Sequence, residues 1–344
     1  MPDMKALYYK GSNQLSFEEV KRPMLDPGEV LVQVAFAGIC GSDMGVLAGK
    51  HPRAVAPLIM GHEVSGVVVE TKDVDTVEIN ERVVINPLLT CGKCQPCKTG
   101  HSHVCRDLKL IGIDRDGGFA EFVKVASGNV IHIPSELSFE MASLIEPLAV
   151  TVHAIRKSQY KAGDQVVVIG AGPIGMLTAM AVRLAGAANV MICEVSEQRR
   201  QFAKEQGFKV IDGNDQPVEK VMEQTKGNGA DIVFEVAGVP ATALLSTELV
   251  KITGQVVIVS VFKEPSKVDL QALNFRELSM LGVRVYTDKD YEIAMRMLCT
   301  YPEFSNVITH KLPLEEAERG FALMREAEAA LKVLLYPKKG GGGR

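Results

Sequence analysis

Four of the seven cysteines, Cys91, Cys94, Cys97 and Cys105, fall in one short run with the spacing C-x2-C-x2-C-x7-C. Gly92, Pro96 and Gly100 stand between them and permit tight folding. Four thiolates with no obvious open position suit a closed tetrahedral zinc, which is a structural role. An iron–sulfur cluster takes the same donors, but the surrounding chain offers it no redox partner. An odd cysteine total, crowded in this way, reads as metal binding in a reducing compartment rather than as disulfides.

A second set of donors is dispersed. Cys40 lies in Gly38-Ile39-Cys40-Gly41-Ser42-Asp43, His62 and Glu63 in Gly61-His62-Glu63, and Glu146 in Ile145-Glu146-Pro147. Taken singly, each has an ordinary explanation: a small buried cysteine, a core histidine, a helix cap. Together they offer soft, borderline and hard ligands at turns where side chains can point inward, which suits a catalytic zinc with an exchangeable position.

A third group is a glycine turn. The apolar run 166–169 leads directly into Gly170-Ala171-Gly172-Pro173-Ile174-Gly175 and then a helical stretch, the order strand, G-x-G-x-x-G, helix. The first glycine permits the turn, the second lets backbone approach a pyrophosphate, and the third lets helix pack on strand. Glu194 ends the next apolar run, where a carboxylate can accept ribose hydroxyls and disfavours a 2′-phosphate, so NAD is expected over NADP. Arg199 and Arg200 lie close enough in sequence to weaken that preference, or else form a solvated helix face. Val236 and Val261, which follow later strands, are expected to join the cofactor site.

These groups need elements to hold them. Up to about residue 126 the chain shows short β-rich runs, such as 30–36, 64–70 and 122–125, between Gly, Pro and Asp turns. This part is expected to be β-barrel-like. A helical period starts near Phe139, yet Glu146 precedes a proline and is pushed out of the α region. The pattern therefore predicts a helix ending near Ile145 and another starting at Pro147, with Glu146 exposed at the break.

From Gln165 apolar strands alternate with helical stretches, at 166–169, 189–193, 232–235, 256–260 and 278–283, which implies βαβ units and a parallel sheet. Gly186, Gly207 and Gly254 are expected as left-handed helix caps. A helix over 314–325 and a strand over 332–336 either extend that sheet or return to the first domain.

At 344 residues two domains are expected. A hydrophobic content of 47% with no low-complexity tract describes an ordered chain with a large core. The net charge of −4 leaves no basic footprint for nucleic acid or anionic lipid, so small molecules are the expected partners. No apolar run is long enough for a membrane span and residues 1–11 lack signal-peptide character, so a cytoplasmic protein is expected. The final Gly-rich residues 340–344 read as a tail and are set aside.

These motifs resemble the zinc-containing medium-chain dehydrogenase/reductase family, and within it the polyol, threonine, butanediol and sugar-acid dehydrogenase branch. Cys40-Gly41-Ser42-Asp43, Gly61-His62-Glu63, the four-cysteine lobe, Asp116-Gly117-Gly118-Phe119-Ala120-Glu121 and Ile145-Glu146-Pro147-Leu148-Ala149 occur in the family's order across essentially the whole chain. The resemblance implies an α/β fold. A GroES-like β-rich catalytic domain (1–152 and 288–344, with a zinc lobe near 88–108) would flank an inserted Rossmann NAD-binding domain (153–287), a doubly wound parallel sheet. It implies a homo-oligomer, dimer or tetramer.

The resemblance further implies Cys40, His62 and Glu146 at a catalytic zinc, with Glu63 beside it as a direct, water-mediated or alternating ligand. Many relatives carry a histidine where this chain has Gly45. Either the proton relay is shorter, or His51 substitutes, or the pocket is larger. Ser42 is the expected first proton acceptor. Phe119, Arg284 and Tyr286 are expected at the substrate. Arg284 and Tyr286 would share one face of a strand, and an arginine there would bind a carboxylate, or else lie at an interface or surface.

The expected reaction is zinc-assisted, NAD-linked oxidation of a secondary hydroxyl of a polyol or sugar acid to a ketone. A threonine- or butanediol-type dehydrogenase is the alternative. A non-catalytic zinc and nucleotide sensor, and a quinone reductase on the same fold, are the rivals from other classes.

Overall fold

The structure is a computed structural model and describes residues 3–326 and 330–338; the tail at 340–344 lies outside them. It forms two compact units, Met1–Glu146 with Ala294–Arg344, and Pro147–Ile293.

The first unit is β-rich, as its alternating sequence demands. In the strand Asp3–Gly11 the side chains of Met4 and Ala6 are buried while those of Asp3 and Lys5 are exposed, the period of two that a half-buried strand requires. The strand Glu29–Gly38 is central to a seven-stranded sheet, pairing antiparallel with Glu63–Lys72 and Phe122–Ala126. The C-terminal strand Lys332–Tyr336 joins the same sheet, with Leu334 opposite Gly38 and Leu335 opposite Ala37. Of the two placements open for residues 332–336, the chain thus takes the return to the first unit. A core of Val30, Val32, Val64, Val68, Phe119, Phe321, Val333 and Leu335 lies against this sheet.

The helix around Glu146 differs from expectation. One helix runs unbroken from Ile145 to Lys157, after a short one at Phe139–Ala142. Pro147 falls in its first turn, where backbone N–H groups have no intrahelical partner and the missing donor costs nothing. Glu146 is consequently buried, not exposed at a break.

The second unit is a six-stranded sheet, every pair parallel, in the order Lys209–Asp212, Asn189–Glu194, Gln165–Ile169, Ala230–Glu235, Val250–Ile258, Ser279–Gly282. Numbered along the chain this is 3-2-1-4-5-6, the doubly wound order of dinucleotide-binding sheets. The strands read as near-continuous apolar runs because both faces are covered. Gly186 and Gly207 have φ of +93° and +77° and directly follow their helices' cap residues Ala185 and Gln206. Gly254 instead lies inside the strand Val250–Ile258, because its helix ends at Leu249 and the chain passes into extended backbone at once.

Candidate active site and metal centres

Ligand atoms of Cys40, His62 and Glu63 lie within 4.8 Å of one another in the first unit. Cys40 ends its strand's extension and caps the helix Gly41–Leu47, whose N–H at Cys40 donates to Asp43 Oδ2 at 2.9 Å. Asp43 is wholly buried, and its Oδ1 lies 3.5 Å from His62 Nδ1. The carboxylate thus faces one imidazole nitrogen without a hydrogen bond, on the side from which metal-binding histidines are commonly oriented, and Nε2 is left for a metal. Ser42 Oγ lies 3.3 Å from that Nε2, at the rim of the cluster. Burial works against charge on His62, but the Asp43 carboxylate and Cys40 thiol hold its pKa well above the ordinary histidine range.

Glu63 is wholly buried and both its oxygens lie 2.7 Å from Lys332 Nζ, which also donates to the Ile39 carbonyl at 3.2 Å. Burial presses the Lys332 pKa down, yet Glu63 and Cys40 leave it raised overall. Gly38, opposite Glu63 in the sheet, makes the contact possible: a Cβ there would stand 2.0 Å from Glu63 Oε2. Lys332 escapes a reading of the sequence because it looks like the ordinary start of a strand. The available signal is a lone cation heading the apolar run Lys332–Tyr336. Glu146 lies outside the 4.8 Å group, though its charge is felt at Lys332.

Other expected residues fall elsewhere. His51 is outside the metal-ligand group, and its Nδ1 accepts from the Arg53 N–H at 3.3 Å. Burial, then Arg53, lowers its pKa. No atom lies within 4 Å of a Cβ placed on Gly45, so the position is open. Phe119 is wholly buried in the core and edge-on to Phe321 at 6.0 Å. Arg284 and Tyr286 do not share a strand face. The strand stops at Gly282, Val285 has φ of +43°, and Arg284 is exposed while Tyr286 is buried against Tyr291 at 5.1 Å. The shared face that pointed to a carboxylate clamp is therefore absent.

The four-cysteine lobe brings all four sulfurs within 4.8 Å of one another. Cys94 Sγ lies 3.4 Å from Cys97 Sγ and 3.8 Å from Cys105 Sγ. A zinc–sulfur distance of ~2.3 Å gives a tetrahedron edge of about 3.8 Å, whereas a disulfide needs about 2.05 Å. The separations therefore fit a shared metal. Backbone N–H groups of Arg106 and Cys97 lower the Cys94 thiol to about 6, so it gives up its proton readily. Burial, then the Cys94 sulfur, pushes Cys97 up to about 12.

In the second unit the glycine turn opens the helix Pro173–Leu184, with Gly172 as its cap and Pro173 in its first turn. Gly175 is forced by close packing, since a Cβ there would stand 1.9 Å from the Gly170 carbonyl oxygen. The Glu194 carboxylate accepts from the N–H groups of Ala171, Val195 and Ser196 at 2.6, 2.8 and 2.9 Å. An ionised carboxylate has about four acceptor sites, so one remains for a ribose hydroxyl. Arg200 is bound to the Val195 carbonyl and Asp212. Arg199 is not: its Nε has no partner among the described residues, and its Nη1 lies 3.8 Å from where a Gly172 Cβ would stand. Val261 is 88% exposed, and Val236 packs on the glycine turn. Open glycine backbone, a carboxylate with a free acceptor site and a free guanidinium beside Gly172 fit the adenosine diphosphate half of a nicotinamide dinucleotide.

Residues 26–135 match the family model of the alcohol dehydrogenase GroES-like domain, and residues 173–300 that of the zinc-binding dehydrogenases. A 2-dehydro-3-deoxy-L-galactonate 5-dehydrogenase of Pseudoalteromonas atlantica is 33% identical over 336 residues, 96% of this chain and 98% of its own. An L-threonine 3-dehydrogenase of Bacillus licheniformis is 35% identical over 345 residues, covering 97% and 99%. The crystal structure of 2R,3R-butanediol dehydrogenase from Bacillus subtilis superposes with a TM-score of 0.91 at 31% identity, covering 97% of this chain and 100% of that one. This chain belongs to the zinc-dependent medium-chain dehydrogenase family. It is an oxidoreductase acting on CH–OH groups with zinc and a nicotinamide dinucleotide. Among the described residues no helix is long and apolar enough to cross a membrane.

Proposed function

We propose that this chain oxidises a secondary hydroxyl of a small polyhydroxylated substrate, a polyol or sugar acid, to a ketone, with NAD as hydride acceptor. The observation that carries the reading is the meeting of Cys40, His62 and the buried Glu63, with the Asp43 carboxylate 3.5 Å from the imidazole. Cys40, His62 and Glu146 are proposed to hold the catalytic zinc, because Glu63 is already neutralised by Lys332. Zinc held there would supply a Lewis acid for the substrate hydroxyl, and bound NAD would supply the hydride acceptor.

The chain's own groups do the rest. Asp43 orients His62 through Nδ1. Ser42 Oγ, 3.3 Å from His62 Nε2, is placed to take the substrate proton and pass it to water. Cys91, Cys94, Cys97 and Cys105 hold a structural zinc that contributes to folding. Glu194 selects NAD through the ribose. A sugar acid and an amino acid are named for two relatives, which favours a polar substrate carrying several hydrogen-bonding groups. A threonine- or butanediol-type substrate is the second reading.

The test is a screen of alditols, aldonates, amino alcohols and diols for NADH formation. The proposal expects turnover with alditols or aldonates above all others. Selective turnover of threonine or a simple diol would move the enzyme to the second reading, and no turnover across the panel would end the proposal.

A further inference from the structure

Glu235 ends the strand Ala230–Glu235, is wholly buried and takes no part in the chemistry above. Its carboxylate gathers donors from two separate turns. Oε1 accepts from the N–H groups of Ala237 at 3.0 Å and Gly238 at 2.8 Å, with Thr242 Oγ1 at 2.7 Å. Oε2 accepts from Ser260 Oγ. The Glu235 carbonyl oxygen accepts from the N–H groups of Val259 and Ser260, at 3.0 and 3.2 Å. One residue thereby ties the turn after its own strand to the turn after the neighbouring strand Val250–Ile258.

No cation pairs with Glu235 among the described residues, so the cost of burying its charge is met by aimed dipoles alone. A hydrophobic side chain would fill the same space without that cost. What the carboxylate adds is a fixed geometry for two turns that are otherwise exposed, carrying Val239 at 47% and Val261 at 88% exposure.

The place of those turns gives the geometry its meaning. A sheet of this order receives a dinucleotide across the switch point, here between Gln165–Ile169 and Ala230–Glu235, with one half on each side. Glu194 and the glycine turn serve the adenosine side. The turns at 236–239 and 259–261 lie on the other side, where the nicotinamide half must go.

We infer that Glu235 is a positioning residue that fixes the two turns receiving the nicotinamide half of the cofactor. The inference rests on the dinucleotide reading of the second unit. It makes affinity for the two halves separable: loss of Glu235 loosens the grip on nicotinamide and leaves the adenosine side intact.

Calorimetric titration of the zinc-loaded protein with NADH and, separately, with ADP reads this directly. Glu235→Leu should weaken NADH about tenfold, roughly 1.4 kcal/mol, and leave ADP within about twofold. Glu235→Gln keeps an oxygen for Ala237 and Gly238 and should restore most of the NADH affinity. Ser260→Ala releases one turn only and should weaken NADH about threefold, with ADP unchanged; it decides the matter with the Gln variant if the Leu variant does not fold. Equal weakening of NADH and ADP, or no weakening of NADH, overturns the inference. Failure of the unaltered protein to bind either ligand would overturn the dinucleotide reading beneath it.

Discussion

Lys332 Nζ stands 2.7 Å from both carboxylate oxygens of Glu63, with the lysine 2% and the glutamate 0% exposed. The pair spans strands nearly the whole chain apart, and Gly38 between them has no side chain to obstruct it. A buried ion pair costs most when one partner is removed, because the other charge is left without compensation.

Lys332→Met should therefore lower stability by about 3 to 5 kcal/mol in urea unfolding. The double variant Lys332→Met/Glu63→Gln should recover most of that loss. Equal destabilisation by the single and double variants would mean that Lys332 acts through packing and not through the charge of Glu63.

Cys94→Ser should remove one of about two zinc ions per chain and lower the melting temperature, since a closed structural site contributes its binding energy to folding. Elemental analysis with calorimetry checks both. Full metal content with an unchanged melting temperature would contradict the closed-site account.

Glu194 accepts three backbone N–H groups and keeps one acceptor site, and Arg199 lies beside Gly172 with its Nε unpartnered among the described residues. The expected outcome is a preference for NAD over NADP of about tenfold in kcat/KM, or roughly 1.4 kcal/mol. Arg199→Ala should widen the ratio by removing a cation beside Gly172 that a 2′-phosphate could meet. Equal use of the two cofactors by the unaltered enzyme would contradict the role given to Glu194.

Much of this was legible in the sequence for a physical reason. The glycine turn, the cysteine run and the apolar strands around them are local, so spacing alone carries them. Glu146 was misplaced because the bias against helix before proline is weaker than the tolerance of a helix's first turn for proline. The supposed alternation of Arg284 and Tyr286 required a strand that ends at Gly282. Lys332 and Glu235 escape a reading of the sequence because their partners come from other segments, and the lone cation heading the apolar run at Lys332 passes for an ordinary strand start.

Asp290 is wholly buried and accepts from Thr287 N–H at 2.8 Å, Thr287 Oγ1 at 2.7 Å, Arg156 and His153. Burial alone would raise its pKa, but hydrogen bonds from His153 and Thr287, with Arg156, hold it well below the usual carboxylate range. A depressed carboxylate contributes stability that is present above the unfolded pKa and lost as pH falls through the folded one. Asp290→Asn should cost roughly 3 kcal/mol at neutral pH, with the gap to the unaltered protein closing below about pH 4. A gap that stayed constant down to acid unfolding would show that the charge is not the source.

The central claim is that Cys40 and His62 hold a catalytic zinc distinct from the one in the cysteine lobe. Cys40→Ser, studied for metal content, NADH affinity and NADH formation from the best alcohol of the screen, tests it most directly. The account predicts loss of one zinc of about two, unchanged NADH binding and turnover reduced by at least about a thousandfold, roughly 4 kcal/mol of transition-state stabilisation. Retained turnover, or full zinc content in the folded variant, would contradict it.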